Sequence, residues 1–215
     1  MSVNVRVWGK GMAMRIFFLV AICGLLIVPC ASSAAAGAAD AGAPQYTADG
    51  QLIFPANYRE WIYLTSGLDM DYNPELAIGD HSMFDNIFVN PEAYKAFVAT
   101  GTWPDKTVLV LEGRMAANKG SINQKGHFQT SNIMARSIHI KDAAHFPGGW
   151  AFVGFGDSNV GRTFPKNAVC YSCHEQHAAV DTTFVQFYPT LLEIATKKGT
   201  LSPAYLKEEA ANGKK

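Results

Sequence analysis

The stretch AVCYSCHEQHAAVDTTF, residues 168–184, carries two cysteines three positions apart, Cys170 and Cys173, and His174 directly after the second one. Residues three apart share one face of a helical turn, so this spacing brings both thiols to the same side. The pattern C-x-x-C-H is typical of covalent haem attachment, in which the thiols bind the haem vinyl groups and the histidine binds the iron. The stretch therefore predicts one covalent haem c per chain, held by a helix near the C-terminus.

Three other uses of a C-x-x-C pair fit this sequence less well. A disulfide between Cys170 and Cys173 would close a very small loop, and such a loop constrains the unfolded chain little. A tetrahedral zinc site needs further ligands at matching spacing. No such pair occurs among the remaining histidines, which are His81, His127, His139 and His145. A thioredoxin-like redox pair follows a strand in a βαβ unit, and the sequence around this motif does not predict one.

The N-terminal segment has the pattern of a secretory signal peptide. Three basic residues precede an apolar run at 16–28, and the small-residue tract ASSAAAGAA follows at 31–39. This order is typical of a signal peptide, with cleavage expected between Ser32 and Ala39; the alternative is an uncleaved membrane anchor. The other two cysteines lie in this segment and would be removed with it. The pattern predicts export to the periplasm.

The charge balance of the chain limits the kinds of partner that it can bind. The chain has 18 basic and 18 acidic residues, and removal of residues 1–39 leaves 15 basic and 18 acidic residues, a net charge of −3. Such a balance does not favour nucleic acid or an anionic membrane surface as a partner. We divide the chain into a signal peptide with its small-residue tract at 1–39, a linker and lead-in at 40–53, a haem domain at 54–200, and a charged tail at 201–215, of which the end, KEEAANGKK, is expected to be frayed.

The periodicity of the haem domain predicts mixed secondary structure. PANYREWIYLTSG at 55–67 predicts a helix, and so does NPEAYKAFVATG, in which Asn90 would cap the helix, Pro91 would begin it and Gly101 would follow its end. YPTLLEIATKK near the C-terminus predicts another helix. SMFDNIFVN, KTVLVLEGR, SNIMARSIHIKD and GGWAFVGFG predict strands. The expected fold class is α+β, mostly an antiparallel sheet with a few helices, the haem-attachment helix among them.

Four stretches carry a resemblance to a known family: YREWIYLTSG, FDNIFVNPEAYKAFVATGTWPDKTVLVLE, FPGGWAFVGFG and CYSCHEQHAAVDTTFVQFYPTL. They resemble the cytochrome P-460 family over residues 54–192. The resemblance implies a homodimer, a mostly antiparallel β fold and a periplasmic, five-coordinate c-type haem. P-460 members oxidise hydroxylamine to nitric oxide or nitrous oxide and carry a lysine bonded to the haem. The sister group, cytochrome c′-beta, lacks that bond and binds nitric oxide.

The resemblance also implies roles for particular residues. Lys106 lies at a place that matches the family's cross-linking lysine, and alternation along its strand would put Glu112 on the same face. The family's distal face is aromatic, for which Phe84, Phe88, Phe152 and Phe155 are candidates. Haem propionates would find a guanidinium partner in Arg114, Arg136 or Arg162. Each of these residues has a plain alternative, as an exposed charge or as an aromatic side chain of the core.

The resemblance also implies a carboxylate near the iron, since the hydroxylamine-oxidising members of the family need a proton acceptor there. Residues 158–169, which precede the haem motif, contain no acid. Asp157 or Glu112 would therefore have to serve.

The sequence thus favours an exported c-type haem protein that oxidises hydroxylamine at an open iron site and passes electrons to a soluble acceptor cytochrome. One alternative is a protein that binds or scavenges nitric oxide without turnover. The other is an electron carrier, whose six-coordinate iron would need a methionine as second ligand. The candidates are Met70, Met83, Met115 and Met134.

Overall fold

A computed structural model describes residues 42–70 and 82–213 of the chain. The predicted signal peptide and His81 lie outside the described residues. The described part belongs to one compact unit, Ala38–Lys215. Within it, no helix combines the length and the hydropathy needed to cross a bilayer.

A six-stranded antiparallel sheet forms the body of this unit, with its strands in the order in which they occur along the chain. A two-stranded ribbon, β1 (Gln45–Tyr46) and β2 (Leu52–Ile53), precedes it. The six strands are β3 (Ile62–Leu68), β4 (Met83–Val89), β5 (Thr107–Ala117), β6 (Phe128–Lys141), β7 (Trp150–Gly154) and β8 (Arg162–Thr163). The predicted α+β class with a mostly antiparallel sheet is confirmed.

Four α-helices accompany the sheet in the described ranges: α1 (Pro91–Thr100), α2 (Val169–His177), α3 (Pro189–Lys198) and α4 (Pro203–Asn212). The first of them begins at Pro91 and ends before Gly101, whose left-handed φ of 80° suits a residue without a Cβ. The cap differs from the prediction, because the Asn90 side chain makes no bond to the helix. Its Oδ1 accepts a hydrogen bond from the Val108 amide at 2.8 Å, and this bond joins α1 to β5.

Two further expectations about secondary structure are wrong. Residues 55–67 form only a short 3-10 helix, Tyr58–Glu60, followed by β3, which pairs with β4. The aromatic and β-branched residues of this stretch fit a half-buried strand once a partner strand is available. The tail expected to be frayed is helical as far as Asn212 among the described residues, and the Ser202 hydroxyl caps this helix, α4, by accepting a hydrogen bond from the Tyr205 amide at 3.1 Å.

The sheet buries side chains on both faces. On one face, which we call the helical face, Val89 and Leu109 pack with side chains of α1 and α3. On the other, the N-terminal face, Val108 and Val110 pack beneath the segment 52–61. Cross-strand partners share a face, so the register assigns each remaining strand residue to one of the two.

Candidate haem site

Helix α2 presents the predicted attachment residues at one end of a large cavity. Cys170 and Cys173 are both free thiols, and both line this cavity. Burial raises the pKa of each thiol, so both are protonated at neutral pH. Addition of a thiol across a vinyl group needs no disulfide partner, and the three-residue spacing on one helix leaves the two sulfurs on the same side.

His174 is held in the tautomer that suits a metal ligand. Its Nδ1 lies 2.7 Å from the backbone oxygen of Thr182, and because a carbonyl oxygen only accepts, Nδ1 carries the proton. The lone pair is therefore on Nε2, the atom left for iron. Burial lowers the pKa of His174, against the opposing effect of the Thr182 hydrogen bond, and the imidazole stays neutral.

Aromatic rings hold the His174 imidazole in place. Phe184 stacks on it with ring centroids 4.1 Å apart, and Phe152 of β7 meets it edge-on at 4.7 Å. His139 of β6 is fully buried behind them, 5.1 Å from His174 between centroids, with its Nε2 3.2 Å from the Thr182 hydroxyl. Burial lowers the pKa of His139 well below its usual value. The sequence did not single out His139, because a lone histidine on a strand gives no signal of its partners.

The cavity has a volume of about 640 Å³ and lies between α2 and the helical face of the sheet. This volume is within the range of sites that enclose a cofactor-sized ligand. Its wall is mostly apolar, with aromatic side chains from Phe152, Phe164, Phe184 and Phe187. An apolar slot with two thiols and a neutral imidazole at one side has the shape and the donors that haem requires. The residues present therefore fit a haem.

A carboxyl group that the sequence analysis missed also lines the cavity. Asp85 lies on β4, and its cross-strand partners are Gly67 of β3 and Gly113 of β5. Burial raises the pKa of Asp85 to about 6, and the negative charge of Asp69 adds to the shift. A carboxyl group perturbed by burial inside a cavity is a candidate for a functional acid or base.

The structure does not bring Lys106 into the cavity. Lys106 lies in the turn before β5 with a left-handed φ of 64°, so the alternation of the strand does not extend to it. Its ammonium group forms an ion pair with the fully buried Asp142. Burial acts to raise the pKa of Asp142, but its hydrogen bonds with Lys106, Tyr46 and His145 hold it down at about 2.

Glu112 also lies away from the cavity, on the N-terminal face. Its side chain is only 1% exposed and accepts hydrogen bonds from Tyr58, Arg59 and Arg114. Burial acts to raise the pKa of Glu112, but these hydrogen bonds and the arginine charges hold it below its ordinary value. The expected alternation along β5 is correct, but the cavity lies on the face of Leu109 and Leu111 rather than that of Val108 and Glu112.

The other predicted residues divide between the two faces and the surface. Phe88 packs on the N-terminal face against Tyr58, with ring centroids 5.5 Å apart, and Phe84 does not line the cavity either. Phe84 and Phe88 are one and three positions from Asp85 on β4, so alternation along the strand points both to the opposite face of the sheet. Asp157 and Arg162 are exposed and also lie outside the cavity wall.

Besides Cys170, Cys173 and His174, two candidates from the sequence reach the cavity, Phe152 and Met70, and His177 of α2 lines it as well. His177 also contacts Glu208 of α4, with 3.0 Å between Nδ1 and the carboxylate. Of the four methionines considered as a second iron ligand, only Met70 is among the cavity-lining residues of the described ranges.

Comparison with known proteins agrees with this site. A search of curated proteins returned no match to the chain. The family model for cytochrome P460 matches residues 55–185, which is more than half of the chain and includes β3 to β8 and the whole of α2. The chain therefore belongs to the cytochrome P460 family and is a haem protein.

Proposed function

We propose that the chain is an exported protein with one covalent haem c and that it oxidises hydroxylamine at an open iron site. Cys170 and Cys173 would form the thioethers, and His174 would bind the iron through Nε2. The observation that supports turnover is Asp85, a carboxyl group on the wall of the same cavity that contains the attachment residues. When bound, haem supplies an open coordination site and a route for electrons to a soluble acceptor cytochrome.

The residues of the chain supply the rest of the chemistry. The apolar wall excludes water from the reacting ligand and strengthens every electrostatic interaction inside the cavity. Removal of electrons from hydroxylamine releases protons, and these need an acceptor close to the nitrogen. Asp85 has a pKa of about 6, so near neutral pH its carboxylate is ionised and still basic enough to hold a transferred proton.

A second candidate function is nitric oxide binding without turnover, as in the cytochrome c′-beta group. It is favoured by the position of Lys106, whose ammonium is engaged by Asp142. Among residues 42–70 and 82–213, no lysine lines the cavity. We therefore expect no lysine–haem bond. Protease digestion and mass spectrometry test this, and a haem peptide that also carries the segment containing Lys106 would contradict it.

Haem attachment is tested with the Cys170→Ala, Cys173→Ala double variant. We expect haem staining on a denaturing gel to disappear, whereas His174→Ala should keep the stain and change the iron's spin state. Persistent staining of the double variant would refute covalent attachment. Anaerobic turnover of hydroxylamine with a soluble cytochrome as acceptor then separates oxidation from nitric oxide binding alone.

Two further tests address the remaining parts of the proposal. A high-spin ferric signal in electron paramagnetic resonance is expected for an open site. A purely low-spin signal would favour the electron carrier, with Met70 as the ligand to replace first. N-terminal sequencing of the protein recovered from the periplasm tests the proposed export and signal-peptide cleavage. Sedimentation tests the proposed homodimer.

A further inference from the structure

Asp85 lies on β4 between two glycines of the neighbouring strands. Its neighbours on both adjacent strands are glycines, Gly67 and Gly113, so no side chain flanks it across the strands. A Cβ on Gly67 would collide with the Met70 thioether, and one on Gly113 would come within 2.7 Å of the Met83 sulfur. Thioethers therefore pack over both glycines. A thioether sulfur is a weak acceptor and donates no hydrogen bond, so it cannot satisfy a carboxylate.

Among the described residues, no charge on the cavity wall compensates Asp85. In the described ranges its carboxyl group has no hydrogen bond or ion pair, and no lysine or arginine lines the cavity. The nearest influential charge is the Asp69 carboxylate, which is negative and is itself bonded to Ser82 and the Met83 amide. The described residues therefore leave the negative charge of Asp85 unbalanced at the cavity wall.

The other titratable groups that face the cavity do not cancel this field. His139 and His174 are buried and have lowered pKa values, so both are neutral near pH 7. His177 of α2 is opposite Glu208 of α4. Cys170 and Cys173 have raised pKa values, and Tyr188 is the remaining titratable side chain on the wall.

We propose that Asp85 selects ligands of the iron site by charge: neutral and cationic nitrogen compounds are admitted, and small anions are disfavoured while its carboxylate is ionised. This inference rests on the proposed haem site but not on turnover. Hydroxylamine and nitric oxide are neutral and satisfy the selection, whereas nitrite, a more oxidised nitrogen product, is an anion. The carboxylate would thus disfavour binding of such a product at the iron. Since the pKa of Asp85 is about 6, the selection is present above this pH and weakens below it.

The test uses the purified ferric holoprotein and two probes, followed by the haem absorption spectrum. Thiocyanate stays an anion and nitric oxide stays neutral across the range from pH 5 to pH 8. We expect the Kd of thiocyanate to rise about tenfold as the pH rises through the pKa of Asp85, the size of a charge–charge interaction over several ångströms in a partly buried site. The Kd of nitric oxide should stay constant.

Asp85→Asn should bind thiocyanate at every pH as tightly as the wild type does at low pH. The matched control is Asp49→Asn, an exposed carboxylate on the β1–β2 turn, which should keep the wild-type profile. If the Kd of thiocyanate for the wild type did not change between pH 5 and pH 8, the proposal would be overturned without any variant. An Asp85→Asn profile as steep as that of the wild type would overturn it as well. If neither probe changes the spectrum, the open iron site itself is wrong, and the inference fails together with the proposed function.

Discussion

Two carboxylates lie one residue apart in the register of the same sheet, and they have opposite surroundings. Glu112 pairs across strands with Asn86, and Asp85 pairs with Gly113, so the two face opposite sides. On the N-terminal face, Glu112 is almost fully buried, and its carboxylate accepts hydrogen bonds from one tyrosine and two arginines. On the helical face, Asp85 has glycines beside it and the cavity in front of it.

The difference separates a structural carboxylate from a functional one. Glu112 is ionised, fully paired and out of reach of any ligand in the cavity, so it contributes to the stability of the N-terminal face. Asp85 has no hydrogen bond or ion pair with the described residues, which costs stability and leaves its carboxyl group available to a ligand. The sequence analysis named Glu112 and Asp157 as candidate proton acceptors and did not single out Asp85.

The largest effect should be on catalysis, at Asp85. We expect Asp85→Asn to lower the rate of hydroxylamine oxidation by about 10²–10⁴-fold, the usual contribution of a positioned base. Haem content should be unchanged, since the variant keeps the shape of the side chain. Steady-state turnover with a soluble cytochrome measures the effect, with Asp49→Asn as control. Turnover within threefold of the wild type would remove Asp85 from the mechanism.

The next effect should be on stability, at Glu112. Glu112→Leu leaves the largely buried Arg114 without its carboxylate, and loss of one partner of such a buried pair costs about 3–5 kcal/mol. The half-exposed Arg59 adds little, because water can solvate its charge. Urea unfolding of the holoprotein measures the change in the free energy of unfolding. Glu92→Gln, an exposed carboxylate of α1 that pairs with Lys95, should change it by less than about 0.5 kcal/mol. An equal loss of unfolding free energy in the two variants would show that the hydrogen bonds around Glu112 stabilise the fold no more than an exposed ion pair does.

The two carboxylates should also give opposite dependences of stability on pH. Because the pKa of Asp85 is raised, its folded form binds a proton more tightly than the unfolded chain, and stability falls as the pH rises from about 4 to about 6. Because the pKa of Glu112 is lowered, its contribution is lost as the pH falls through the acidic range. Unfolding of Asp85→Asn should lack the decline above pH 4, which we expect to be on the order of 1 kcal/mol. If the stability of this variant still fell as the pH rose above 4, the fall would come from the titration of another group.

The smallest effect should come from matched aromatic substitutions on the two faces. Phe88→Leu removes a ring that packs on Tyr58 and Tyr63, and we expect a loss of about 1 kcal/mol with an unchanged haem spectrum. Phe152→Leu makes the same chemical change beside His174. It should shift the haem absorption spectrum, since this ring packs on His174, the proposed iron ligand. A spectral shift in both variants would mean that the two faces are not independent.

Local chemistry made several elements predictable from the sequence. The spacing of Cys170 and Cys173 predicts that they share a helix face, and both lie on α2 and line the same cavity. Pro91 and Gly101 mark the ends of α1 because their backbone preferences need no tertiary partner. The strands were found from their aromatic and β-branched composition. The stretch 55–67 was misread because a run of apolar residues becomes a strand only when a neighbouring strand pairs with it.

What the sequence by itself determined was the haem motif, strands β4 to β7, helices α1 to α3, and the alternation of side chains along these strands. Alternation says which residues share a face, but it does not say which face borders the cavity. That choice depended on the packing of α2 and α3 against one side of the sheet, which placed Asp85 and His139 at the cavity wall and Glu112 behind it. It also depended on contacts between residues far apart in the chain, such as Lys106 with Asp142 and Glu112 with Arg59. Such contacts leave no local pattern, because they form only when distant strands come together.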